Sequence, residues 1–218
     1  MKIPRSARAG ALALLVLPPA LAAQAAWETP RLIGPESPGG LGMFWLRSSA
    51  LGPELDGGMA ILALPGTGGS VSLRGGAAVD PDDDVSAFGG VDVRAHLAAH
   101  TDEQPLDIVW HAGIGAGSRL EEGQHVIVTL PMGVAAGRSW SSGAIWLAPY
   151  VSLGMTMDVH FGQDAPEDEV EVYPAADVGL DFALDPARNF VIRVATSLGD
   201  RQALAVGLNL GGSRAGPH

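Results

Sequence analysis

The stretch AIWLAPYVSLGMTMDVH, residues 144–160, decides the fold. One set of alternate positions carries Ile145, Leu147, Val151, Leu153, Met155, Met157 and Val159, with Pro149 as the interruption. The other set carries Ser152, Gly154, Thr156, Asp158 and His160. Successive side chains of an extended strand point to opposite faces, so one face is apolar and the other polar. Trp146 and Tyr150 fall in the polar phase, where ordinary packing is their expected role.

The same alternation recurs on both sides of this stretch. Val91, Val93, Ala95 and Leu97 oppose Asp92, Arg94 and His96. Val178, Leu180, Phe182 and Leu184 oppose Asp177, Gly179 and Asp181. Breaks rich in Gly, Pro or Asp separate the runs. Ten runs emerge, near 42–50, 58–64, 70–79, 86–98, 106–118, 125–138, 144–160, 172–184, 189–198 and 202–210. The first two are short, which leaves eight as the alternative count. No run has a 3.6-residue period, so helix is not expected after the first 25 residues.

Alternation alone fits two architectures. A soluble barrel or sandwich turns its apolar face inward, and in lipocalin fashion can hold an apolar ligand; a membrane barrel turns that face to lipid. Three features favour the membrane sense. The polar faces are rich in small residues, among them Gly113, Gly115, Gly117, Gly133, Gly137, Gly154, Gly179 and Gly207, which suit a crowded lumen better than a solvated surface. Lysine occurs only at Lys2. Several runs exceed the ten or so residues that cross a bilayer at a tilt. Only 17% of the residues are charged, and mean hydropathy is +0.21. The fold class expected is therefore all-β, a closed antiparallel up-and-down transmembrane barrel. Closure satisfies every backbone donor and acceptor, as lipid requires.

The chain opens with the marks of a secretory signal peptide. Lys2, Arg5 and Arg8 precede an apolar stretch from Ala9 to Leu21, and Ala23-Gln24-Ala25 fits a small-x-small cleavage site. The expected organisation is a signal peptide at 1–25, a periplasmic segment at 26–41, a barrel at 42–210 and a tail at 211–218. Removing the three basic groups of the signal leaves ten against 24 acidic residues, a net charge of −14. So acidic a chain repels nucleic acid. With no cysteine, disulfides, thiolate metal sites and cysteine nucleophiles are excluded.

Together, the signal-type N-terminus, the Gly-rich alternating strands over 42–210 and the acidic loops resemble the small outer-membrane β-barrel proteins of Gram-negative-type bacteria. The resemblance is one of pattern, with no specific motif. It implies residence in the cell outer membrane, with outer-membrane lipid, lipopolysaccharide and the barrel-assembly machinery as partners. It also implies a structural, surface-contact or narrow, porin-like role. Such barrels typically end on an aromatic residue, whereas the last run here ends on Leu210.

With the N-terminus in the periplasm, the connections at 51–57, 80–85, 119–124, 161–171 and 199–201 face outward. They include Asp80, Asp82, Asp83 and Asp84, then Asp164, Glu167, Asp168 and Glu169, a rim that can attract divalent cations. Asp80, Asp82 and Asp84 match the first spacings of a calcium loop, but Val85 and Val91 stand where it needs Gly and Glu, so a solvated acidic loop is expected. The inward faces carry Arg74, Asp92, Arg94, His96, Asp107, His111, Asp158, His160, Asp177, Asp181 and Arg193. Their alternating signs should pair across the lumen and fill it, because unpaired charge in a narrow barrel is costly. A lipid hydrolase or acyltransferase could draw a base and its orienting acid from His96, His111 or His160 beside Asp92 or Asp158. No serine has a nucleophile-elbow context, so no catalytic residue, metal ligand or cofactor is assigned. Among the aromatics, Trp140 and Tyr173 lie near strand ends and suit interfacial girdles best.

Overall fold

The structure, a computed structural model, describes residues 29–48, 55–79, 81–119, 125–162, 170–185, 187–199 and 202–211. These form eleven strands: β1 (Gly40–Ser48), β2 (Leu55–Gly66), β3 (Gly69–Val79), β4 (Val85–Ala98), β5 (Asp107–Arg119), β6 (His125–Gly137), β7 (Trp140–Ser142), β8 (Ile145–Gly162), β9 (Val170–Ala183), β10 (Phe190–Leu198) and β11 (Ala203–Leu210). The alternating runs thus become strands with their ends moved by a few residues. β7 is the addition: β6 breaks at Arg138-Ser139, and the chain resumes against the start of β8. β6 and β7 together make one stave, so the barrel has ten.

Every neighbouring pair is antiparallel. β1 pairs β2 on one side and β11 on the other, and β6 pairs β8 across the remaining seam. The sheet closes without a free edge, which satisfies the backbone of every stave. A bulge at His96/Ala98 shifts the β4–β5 register near one end. Connections β2–β3, β4–β5, β7–β8 and β9–β10 share one rim, the short-turn rim. Connections β1–β2, β3–β4, β5–β6, β8–β9 and β10–β11 share the other, the acidic-loop rim.

Residues 29–39 enter no strand. They run inside the barrel from the level of Ser197 and Leu198 toward the short-turn rim, then turn into β1. The expectation of a separate periplasmic segment at 26–41 is corrected for these residues; 26–28 lie outside the described residues. Arg31, Leu32 and Ile33 are all buried. The cause is space: lumen faces built from Gly, Ala and Ser leave a channel wider than their own side chains fill, and a packed interior tolerates few voids.

The filled lumen as candidate functional site

The two faces of the barrel differ sharply. Leu153 is 64% exposed and Met155 49%, whereas Ser152 and Thr156 on either side of them are buried. The outward phase continues through Met43 and Trp45 on β1, Leu62 and Leu64 on β2, Val91 and Val93 on β4, Val170 and Val172 on β9, and Val206 and Leu208 on β11. Along the outward phase of β3 to β11 no charged side chain interrupts this belt among the residues whose side chains are described; Arg47 and Asp56, facing each other near the acidic-loop rim, are the exceptions on β1 and β2. A continuous apolar belt around a closed barrel with a polar interior is the inverse of a soluble protein. The chain is a transmembrane β-barrel. The soluble, ligand-holding alternative required Leu153, Met155 and Met157 to point inward, and they do not.

Outward Trp110, Trp140 and Phe190 lie toward the short-turn rim, and outward Trp45 and Phe161 toward the other, as interfacial girdles do. Tyr173 departs from its expected girdle position. It pairs with Thr156 and shares that residue's inward phase.

Inside, buried arginines of the wall hold the threaded segment by its main chain. Arg74 on β3 donates from Nη2 to the carbonyl of Arg31 at 2.8 Å. Arg193 on β10 donates to the carbonyl of Leu32 and to Ser37 Oγ, each at 2.6 Å. Arg94 on β4 reaches the carbonyls of Gly34 at 2.6 Å and Ser37 at 3.3 Å. Asn209 on β11 donates to the carbonyl of Gly39 at 2.7 Å. The segment answers in kind. Its Arg31 donates its backbone N–H to Asp177 Oδ2 at 3.3 Å and its guanidinium to Thr156 Oγ1 at 2.5 Å. Leu32 packs into an apolar pocket of Phe44, Leu46, Met59 and Ile61. Pro35 occupies the second position of a turn closed by Ser37 N–H to the Gly34 carbonyl at 3.2 Å, where its fixed φ belongs. Glu36 ties the turn to the rim through Ser139 at 2.5 Å and Arg188 at 3.6 Å.

Two of the wall arginines also have carboxylate partners on the adjacent strand. Arg74 meets Asp92 at 2.7 Å, and Arg193 meets Asp181 at 2.9 Å. The charges therefore pair between neighbouring staves and with the segment, where pairing straight across the lumen was expected. The segment itself occupies the space across which they would have met.

The remaining inward residues fall into separate places. Asp107, at the start of β5, accepts from the backbone N–H of His100 at 2.8 Å and lies 2.8 Å from its ring Nδ1. It caps the 99–106 turn. His96 is exposed beside the β4–β5 bulge, so it does not join the buried set. His160 Nε2 is 3.4 Å from Glu171 Oε2, and Asp158 is buried near it on β8. His111 Nε2 lies 2.9 Å from Ser152 Oγ, reaching across β6 where Gly133 leaves room: a Cβ there would sit 2.9 Å from the imidazole nitrogen. This histidine–serine contact is buried in the lumen, and it ties β5 to β8. Tyr150 similarly lies flat against the missing side chain of its β-partner Gly179.

Little space is left over. A cavity of about 20 Å³ lies among Arg31, Arg74, Asp92, Arg94 and Arg193, and one of about 30 Å³ among Thr29, Thr156, Tyr173 and Asp177. Each holds about one or two waters. Of the acidic loop residues, Asp82, Asp83 and Asp84 are described; no group of three metal-type side chains placed to hold an ion occurs among the described residues. Asp80, Asp164, Glu167, Asp168 and Glu169 lie outside the described residues.

No protein-family model matches the chain, and no curated protein sequence does. Among solved structures it is similar to one from the de novo design of transmembrane β-barrels, at 17% identity and a TM-score of 0.35, covering 79% of this chain and 95% of that one. It is also similar to Ail, the attachment invasion locus protein of Yersinia pestis, crystallised with the heparin analogue sucrose octasulfate. There the identity is 16% and the TM-score 0.30, over 79% of this chain and 94% of that one.

The threaded segment had no periodic signal in the sequence. Its Pro30, Pro35, Pro38, Gly34 and Gly39 read as loop. The usable signal was indirect: interior faces too poor in large side chains to fill a ten-stave lumen.

Proposed function

We propose that the protein is an outer-membrane barrel with a sealed lumen, exported by a signal peptide cleaved after Ala25, and that it serves a structural or surface-contact role. The observation that carries this is the arginine-held segment through the lumen, beside which lie small cavities, two of them of about 20 and 30 Å³. A hydrated ion needs a continuous path, and the segment lies across the space such a path would take. Outer-membrane lipid and lipopolysaccharide contact the belt and rims, the barrel-assembly machinery inserts the chain, and divalent cations collect at the acidic rim.

Two measurements test this. Membrane fractionation followed by gel migration of unheated and heated samples should place the chain in the outer membrane with a shifted folded band. A soluble periplasmic protein without that shift would overturn the reading. In planar bilayers the full mature chain should show no steady conductance, and ohmic channels would assign it a pore role instead.

A further inference from the structure

We propose that the lumen is a binding channel for a peptide segment without regular secondary structure, and that residues 29–39 are its resident ligand. The proposal rests on the sealed-lumen reading and goes beyond it. The wall recognises main chain: donors from β3, β4, β10 and β11 each end on a carbonyl of the segment, at residues 31, 32, 34, 37 and 39. Carbonyl recognition supplies affinity for main chain, while pockets for selected side chains supply specificity. Here the pocket of Phe44, Leu46, Met59 and Ile61 takes Leu32, and Thr156 takes Arg31.

The barrel does not need the segment for closure. All ten staves pair around the ring without it, so its removal unpairs no ladder. Arg74 and Arg193 keep Asp92 and Asp181 when the segment leaves, so the emptied channel remains a charge-paired, wettable passage. The only covalent tie described between segment and wall is the chain itself at Gly39–Gly40. The ligand class is therefore a peptide with a cationic residue followed by an aliphatic one and a Gly-Pro turn, supplied by this chain in the closed state.

The test uses the mature chain lacking residues 26–38, inserted into planar bilayers, and a synthetic peptide of residues 26–39. The truncated barrel is expected to conduct, and the peptide to block it saturably and reversibly. A scrambled peptide should not block, and the Leu32→Asp peptide should need at least a tenfold higher concentration. Conduction that the peptide leaves unblocked, or that the scrambled peptide blocks equally, would overturn the proposal. So would a folded, non-conducting truncated barrel that shows no saturable binding of the labelled peptide. If the truncated chain does not fold, the full-length Leu32→Asp variant replaces it. Its weakened tether should give flickering conductance that added peptide suppresses, and indifference to the peptide would overturn the proposal. Conductance by the unaltered chain is a different result, and it counts against the sealed-lumen reading alone.

Discussion

Arg193→Met removes the guanidinium that joins wall and segment while keeping most of the side chain's length. Asp181, 1% exposed, then loses its partner at 2.9 Å and keeps only Ser37 Oγ at 3.3 Å. The Leu32 carbonyl loses its shorter donor as well and keeps only Ser37 Oγ at 3.4 Å. Breaking a buried pair on one side costs about 3–5 kcal/mol, because the remaining charge stays desolvated. That is between about a hundredfold and a few thousandfold in the folding constant. Reversible urea unfolding in lipid vesicles, followed by tryptophan fluorescence and checked by gel mobility, reads it directly. The double variant Arg193→Met/Asp181→Leu removes the stranded charge. It should recover most of the loss, leaving about 1 kcal/mol for the hydrogen bond from Arg193 to the Leu32 carbonyl, which Ser37 Oγ then serves alone. A single variant within about 1 kcal/mol of the parent, or a double variant less stable than the single, would refute the reasoning.

Three further outcomes are expected. Leu153→Arg places a charge on the lipid face and should cost about 2–4 kcal/mol near the bilayer midplane, falling toward zero at the rims, by the same unfolding assay. Gly179→Val collides with Tyr150 and should cost at least the 1–3 kcal/mol of an overpacked core; pairing it with Tyr150→Ala should remove the collision, so the two effects are strongly non-additive in a double-mutant cycle. Leu32 is held at φ 54 inside its apolar pocket, a left-handed conformation that costs a non-glycine residue about 1–2 kcal/mol. Leu32→Ala should therefore destabilise by about 2–5 kcal/mol, and Leu32→Gly by less than Leu32→Ala, the reverse of the order found at ordinary backbone positions.

The barrel wall was legible because period-2 alternation is a direct consequence of strand geometry, and every stave here buries one face and exposes the other. The β8 register, read from Leu153 and Met155 against Ser152 and Thr156, needed no tertiary information. The break at Arg138-Ser139 was not visible, since it interrupts a stave without altering its phase. The His96/Ala98 bulge was equally silent, and it displaces His96 from the set its phase assigned. Tyr173 lies near a strand end, but its phase, shared with Thr156, turns it inward. The largest loss was residues 29–39. Their conformation is imposed by the cavity they fill, through contacts distant in the chain, such as Arg74 to Arg31, 43 residues apart, and Arg193 to Leu32, 161 apart. Local propensity carries no trace of such contacts, and three prolines argued for loop.

The apolar face of each strand meets lipid while the polar face meets a filled lumen. Nitroxide labels placed singly at positions 151 to 156 of the chain in lipid vesicles test it most directly. Labels replacing Val151, Leu153 and Met155 should collide freely with oxygen and little with a water-soluble nickel complex. Labels replacing Ser152, Gly154 and Thr156 should be immobilised and shielded from both. High nickel access at 152, 154 and 156 would mean an open, water-filled bore, and immobilised labels at 151, 153 and 155 would mean that the apolar face is an inner core; either pattern contradicts the account.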